Sequence, residues 1–160
     1  MNMSIQNIML SIGVNRFHTV DLVRQMSLAE HHYLVTMTAM KIAAELAENY
    51  GGDHKTLTFI CLTHDLHEIF DGDIPTPAKE RNGDSCFDRP MTQDEIILKC
   101  ADLITDAWFS SNYQVGRNGR KVAMNCLVRM EAFIENKCDE TLALAANKVF
   151  EDIISGPLGT

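Results

Sequence analysis

"LTHDLHEIFDGDIPTPAKE", residues 62–80, decides how this chain is read. The stretch opens inside an apolar run, Leu57 to Leu62, that suits a buried helix, and it then sets His64, Asp65, His67 and Glu68 almost side by side. Such groups leave water only when a partner or an ion receives them. On a helix His64 and Glu68 lie four apart and Asp65 and Glu68 three apart, so these three side chains share one side. The pattern predicts one helix from about His54 to Phe70, with Asp53 as its N-cap and Asp71-Gly72 as its stop. Three prolines, two glycines and many polar residues between Asp71 and Pro90 then predict a long ordered loop, and loops of that length inside a compact domain commonly carry function.

Working outward, helical intervals recur on both sides. Leu28, Leu34, Val35, Met40, Ala43, Leu46 and Ala47 predict a helix from Leu28 to Tyr50, stopped by Gly51-Gly52. "MTQDEI", residues 91–96, opens another: Thr92 caps, Glu95 returns the capping bond, and Met91 is placed to staple onto Ile96. Its apolar stripe runs through Ile96, Ile97, Cys100, Leu103, Ile104, Ala107 and Trp108. Two further helices are expected at about 119–137 and 140–154. No repeat, low-complexity tract or strand alternation is visible. The expected fold is all-α, a single compact domain over residues 1–160 with about five to six helices and a site between them.

Composition narrows the function classes. The chain has 160 residues, 46% of them hydrophobic and 22% charged, which is enough apolar material for a proper core and argues against disorder. Fourteen Lys and Arg against 22 Asp and Glu give a formal charge of -8, which repels a polyphosphate backbone and argues against nucleic-acid polymers as partners. A small anion stays compatible where local cations or a metal receive it. The five cysteines, at 61, 86, 100, 126 and 138, form no paired ligand motif and read as reduced core residues. Residues 1–13 lack the features of a secretion signal, and no run is long enough to span a bilayer. The expected location is the cytoplasm, that of a host cell if the chain is viral, with no membrane partner. Nine methionines and an apolar first helix suggest a subunit contact and hence a homo-oligomer.

Two neighbouring ligands such as His64 and Asp65 cannot enclose a metal alone. The helical residues that could complete a site are His31 or His32 and Asp102 or Asp106. Two imidazoles with two carboxylates suit a divalent transition metal (Co, Mn, Zn, Ni or Fe) better than Ca or Mg. His18, His54 and His67 read as ordinary surface or core histidines.

"AEHH" at 29–32, "THDLHEIFDGDIPTP" at 63–77 and "KCADLITDAW" at 99–108 resemble the three segments of the HD-domain phosphohydrolases. Within them the likeness is to bacterial 5'-deoxynucleotidases of the YfbR type and to the related small phage enzymes that hydrolyse dATP, over about Asn15 to Phe109. The resemblance implies metal ligands at His31, His64, Asp65 and Asp102, and catalytic carboxylates at Glu68 and Asp73. The family's Arg-Trp pair falls on Arg16 and Phe17, which keeps an aromatic face but shrinks it, and the family's serine after the first histidine is His32. Implied substrates are deoxynucleotides, attacked at the α-phosphorus by metal-activated water. Glu68 would manage protons, Asp73 would orient the water, and Arg16 would neutralise the phosphoryl oxygens. Thr76 belongs to the turn lining the pocket, and Lys79 and Arg81 stand where β- and γ-phosphates would reach. The chain's length favours dATP, cleaved to deoxyadenosine and triphosphate, over a deoxynucleoside monophosphate. A nucleotide-binding regulatory protein would keep the pocket but lose Glu68 or a ligand, and none is missing.

Overall fold

Short polar side chains set three of the helix starts. Glu30 N–H donates to Ser27 Oγ at 3.2 Å while Ser27 N–H donates to Glu30 Oε2 at 2.9 Å. Thr56 N–H donates to Asp53 Oδ2 at 2.9 Å. Thr92 and Glu95 exchange the same reciprocal pair as Ser27 and Glu30, at 3.3 and 2.8 Å. Each cap satisfies amide groups that have no partner within the helix, worth ~1 kcal/mol apiece. The caps at Asp53 and Thr92 are the ones the sequence predicts.

The computed structural model describes residues 5–72 and 90–155. Among them the helices are α1 (Ile5–Leu10), α2 (Leu28–Leu46), α3 (His54–Thr63), α4 (Glu68–Asp71), α5 (Gln93–Tyr113), α6 (Gly116–Lys137) and α7 (Glu140–Ser155). A two-stranded antiparallel ribbon joins β1 (Asn15–Arg16) to β2 (Met26–Ser27), pairing Arg16 with Met26. The all-α expectation holds, with this ribbon as its small exception. The expected loop from Asp71 to Pro90, and with it Asp73, Thr76, Lys79 and Arg81, lies almost wholly outside the described residues.

Two helix boundaries differ from the sequence reading for tertiary reasons. α2 ends at Leu46 and tightens into a 3-10 turn over Ala47–Asn49 instead of running to Tyr50. There Tyr50 Oη donates to Asp94 Oδ1 at 2.7 Å and Gly51 N–H to Gln93 Oε1 at 2.8 Å, so the start of α5 holds the chain off the α2 axis. The predicted helix over 54–70 is also broken: α3 stops at Thr63, turns occupy 64–67, and α4 follows. The Cys61 carbonyl, which a continuing helix would offer to the Asp65 amide, accepts Nδ1–H of His64 at 2.9 Å. The backbone then tightens, with Leu66 N–H on Thr63 O at 3.3 Å and Glu68 N–H on Asp65 O at 2.9 Å. Gly72, at φ 74°, ends α4 as expected and donates to Glu68 O at 2.8 Å.

α5 is the central helix, packing most extensively on α6 and α2 and also on α3 and α7. The core gathers Val35, Ile42 and Leu46 of α2, Leu57 and Cys61 of α3, Ile97, Leu103 and Ile104 of α5, Met130 and Phe133 of α6, and Leu142 and Val149 of α7. Each such large side chain contributes roughly 1.5–3 kcal/mol on burial, which offsets the cost of holding charged groups on the same helices. Gly119 lets α6 approach the N-terminal region: a Cβ there would sit 2.5 Å from Asp21 O. No helix among the described residues is long and apolar enough to cross a membrane.

Candidate metal centre

Three segments converge at one point. α2 brings His31, whose side chain is fully buried; the turn after α3 brings His64 and Asp65; the middle of α5 brings Asp102. His31 Nε2 lies 3.2 Å from His64 Nε2 and 3.2 Å from Asp102 Oδ1. Asp65 Oδ2 is 3.4 Å from His64 Nε2 and 3.8 Å from His31 Nε2, and Asp102 Oδ1 is 4.0 Å from His64 Nε2. One donor atom from each of the four residues lies within 4.8 Å of all the others.

This donor set fits a first-row divalent ion. Ligands about 2.0–2.2 Å from a common centre stand roughly 3–3.6 Å apart along the edges of a coordination polyhedron, close to the separations observed. His64 Nδ1 faces a carbonyl, which only accepts, so Nδ1 carries a proton and Nε2 is the nitrogen turned toward the cluster. His31 is held neutral: burial, and then the Arg16 guanidinium, push its imidazole down to about 3. His31 Nε2 and His64 Nε2 face one another at 3.2 Å, so an ion beside them would meet both.

The carboxylates are kept ionised although burial opposes it. Lys99 Nζ donates to Asp102 Oδ2 at 2.6 Å and holds that carboxyl well below the usual range. Asp65, against the cost of burial, is drawn down to about 2 by His64 and Arg16. Arg16 makes an ion pair with Asp65, and its Nη2 lies 3.5 Å from Asp106 Oδ2. Burial alone would lower the Arg16 pKa, but Asp106, Asp65, Asp102 and Glu68 together raise it, so the guanidinium stays charged while buried. The β1–β2 ribbon is what carries Arg16 to this place.

Glu68, at the start of α4, is 1% exposed and contributes to the field on Arg16. Phe17 follows Arg16 in the left-handed region, at φ 57°, with its ring stacked on Phe109 at 6.0 Å between centroids and 15° between planes. The choice the sequence leaves between His31 and His32 is thereby made: His31 enters the donor cluster, and the His32 ring, also buried, sits 5.1 Å from the His64 ring but outside it. Between Asp102 and Asp106, Asp102 joins the cluster and Asp106 lies on the other side of His31. His18, His54 and His67 are exposed. The structure thus brings Arg16, His31, His64, Asp65 and Asp102 together. Two partners escaped the sequence reading. Lys99 could have been found from its i, i+3 spacing to Asp102, whereas Phe109 as the backing of Phe17 leaves no sequence signal.

Comparison with known proteins agrees with this geometry. Residues 14–100 match the family model of the HD domain. The 5'-deoxynucleotidase YfbR of Escherichia coli is 32% identical over 95 residues, which are 58% of this chain and 48% of that protein. A 5'-deoxynucleotidase of Klebsiella pneumoniae is 27% identical over the same shares. The chain therefore spans about half the length of the curated relatives it matches. Among solved structures, the HD phosphohydrolase DatZ of cyanophage S-2L, bound to dA and one catalytic Zn2+ ion, superposes with a TM-score of 0.79 at 18% identity, covering 95% of this chain and 96% of that one. An HD-domain phosphohydrolase of Listeria innocua gives a TM-score of 0.65 at 15% identity. At these identities the two structures speak for the fold. With the family model matching more than half of its residues and the His-Asp pair at 64 and 65 meeting His31 and Asp102 in space, the chain belongs to the HD domain family.

Proposed function

We propose that this chain is a metal-dependent phosphohydrolase of deoxynucleotides, acting as one domain over residues 1–160. The observation that carries the reading is the convergence of His31, His64, Asp65 and Asp102, from three separate segments, on one point. Family membership and the likeness to 5'-deoxynucleotidases support it. The four residues would hold a divalent transition metal, and the zinc of the cyanophage protein favours that ion among Co, Mn, Zn, Ni and Fe. When bound, such an ion polarises a phosphoryl oxygen and acidifies water from a pKa near 16 to about 7.

The chain's own residues do the rest. His31 and His64 turn Nε2 inward, and Lys99 keeps Asp102 ionised. Arg16 supplies the positive charge that equatorial oxygens on the α-phosphorus require, exchanging contacts with Asp65 and Asp106 for contacts with substrate. Glu68, buried beside this charge, transfers the proton that the departing 5'-oxygen needs. Phe17, backed by Phe109, offers its outer face to the base. Asp73 and Thr76 complete the pocket in this reading, and Lys79 and Arg81 take the tail phosphates.

The substrate we favour is dATP, cleaved to deoxyadenosine and intact triphosphate. Near-complete mutual coverage with the cyanophage protein and the dA bound there support it. The second reading, hydrolysis of deoxynucleoside monophosphates, is supported by the 32% identity to 5'-deoxynucleotidases. Action in the cytoplasm accords with the free thiols of Cys61, Cys100, Cys126 and Cys138. Self-association as a homo-oligomer accords with the exposed Ile5, Ile8, Met9 and Leu10 of α1 and with Tyr33, Met37 and Phe59.

A screen of deoxy- and ribonucleoside mono- and triphosphates with added Mn, Co or Zn tests the proposal. Deoxyadenosine and triphosphate from dATP are the expected products. Pyrophosphate with dAMP would place attack at another phosphorus, and turnover of monophosphates alone would select the second reading. No turnover of any nucleotide, together with no bound transition metal, would leave a nucleotide-binding regulatory role.

A further inference from the structure

Asp106 stands one helical turn beyond Asp102 on α5, and its side chain is 13% exposed. Its two oxygens face two different groups. Oδ1 lies 3.7 Å from His31 Nδ1, and Oδ2 lies 3.5 Å from Arg16 Nη2. His31 Nδ1 and Asp106 Oδ1 are both buried, and neither has a hydrogen-bond partner among the described residues. Buried polar atoms are seldom left so, and here the donor and acceptor that each lacks face one another just beyond bonding distance. The other nitrogen of the ring, Nε2, already looks into the donor cluster, toward His64 Nε2 and Asp102 Oδ1 at 3.2 Å each.

We infer that Asp106 is the positioning residue for His31: its Oδ1 accepts the Nδ1–H, which fixes the ring's orientation and leaves the Nε2 lone pair for the ion. The inference rests on the metal-centre reading. His64 is oriented in the same way by a different acceptor, the Cys61 carbonyl at 2.9 Å. The two imidazoles are thus served by unlike groups, the backbone for one and a carboxylate for the other. A carboxylate makes a ring nitrogen the more basic ligand, and acceptors of this kind typically matter 10–100-fold in metal affinity. Arg16, pairing with the second oxygen, keeps the carboxylate from turning away from the ring. Asp106 is not one of the four donors, so it acts on the ion through His31.

Two measurements on Asp106→Ala and Asp106→Asn test this. Nitrogen NMR of the histidine rings in the metal-free protein reads the tautomer directly. Wild type should show His31 protonated at Nδ1, Asp106→Asn should keep that tautomer because its amide oxygen still accepts, and Asp106→Ala should lose it. Zinc titration should then find affinity reduced about 10–100-fold in Asp106→Ala, with Asp106→Asn between it and wild type. If Asp106→Ala does not fold, the weaker zinc affinity and retained tautomer of Asp106→Asn carry the test. Unchanged zinc affinity in the folded variants, or a wild-type His31 protonated at Nε2, would overturn the inference. A wild-type protein that takes up no ion at all would overturn the metal reading, while the tautomer would still decide whether Asp106 orients His31.

Discussion

α5 and the segment from His54 to Asp71 deliver acidic or imidazole side chains to the same point by opposite means. α5 stays a regular helix for 21 residues, and its polar positions Lys99, Asp102 and Asp106 interrupt an otherwise apolar face at helical intervals. The other segment gives up its helix where the ligands begin: α3 ends at Thr63, and His64 and Asp65 occupy the turn before α4. The regular helix must answer its buried acids with other side chains, Lys99 on Asp102 and Arg16 beside Asp106, whose carboxyl burial still pushes up to about 7. The broken segment compensates partly with backbone, since the unwound turn frees the Cys61 carbonyl for the His64 ring. Breaking a helix thus aims a ligand and satisfies its second nitrogen in one step.

The largest test asks whether the two segments are equivalent in holding the ion. Asp65→Ala in the turn and Asp102→Ala on α5 should each abolish metal content and activity together, because one lost donor of four leaves the rest as uncompensated buried groups. Metal analysis with a phosphate-release assay reads both. Full activity in a metal-depleted Asp65→Ala protein would remove the broken segment from the site and the mechanism with it.

A smaller effect separates holding the ion from moving the proton. Glu68→Gln should retain metal and nucleotide but turn over ~100-fold more slowly, the usual scale for a lost general acid or base. Near-normal turnover would transfer the proton role to another group, Asp73 first. Smallest are the caps. Thr92→Ala at the start of α5 and Asp53→Ala at the start of α3 should each cost about 1 kcal/mol in urea unfolding, with metal affinity unchanged in both. A loss of metal on removing the Asp53 cap would mean that the turn at 64–67 depends on α3 as a rigid support, and the contrast between the segments would sharpen.

Much of this was legible in the residues because it depends on neighbours three or four positions away. The Asp53 cap, the Thr92–Glu95 box and the Gly72 stop are all local in this sense. The same locality explains what was misread. Periodicity alone cannot foresee that a histidine ring will take a helix carbonyl, or that Gln93 and Asp94 will draw Tyr50 and Gly51 off the end of α2.

The sequence by itself determined that the protein is helical, where most of its helices begin, and which residue types could meet to bind an ion. Tertiary structure decided which of them do meet. His31 rather than His32 enters the cluster, and Asp102 rather than Asp106, because of how α2 and α5 are rotated about their axes where they pack. Arg16 arrives through a two-residue ribbon too short to leave a pattern. Segments separated by 33 residues, as His31 and His64 are, converge only when a shared apolar core holds their helices together. Their meeting is a property of that packing, which no local interval encodes.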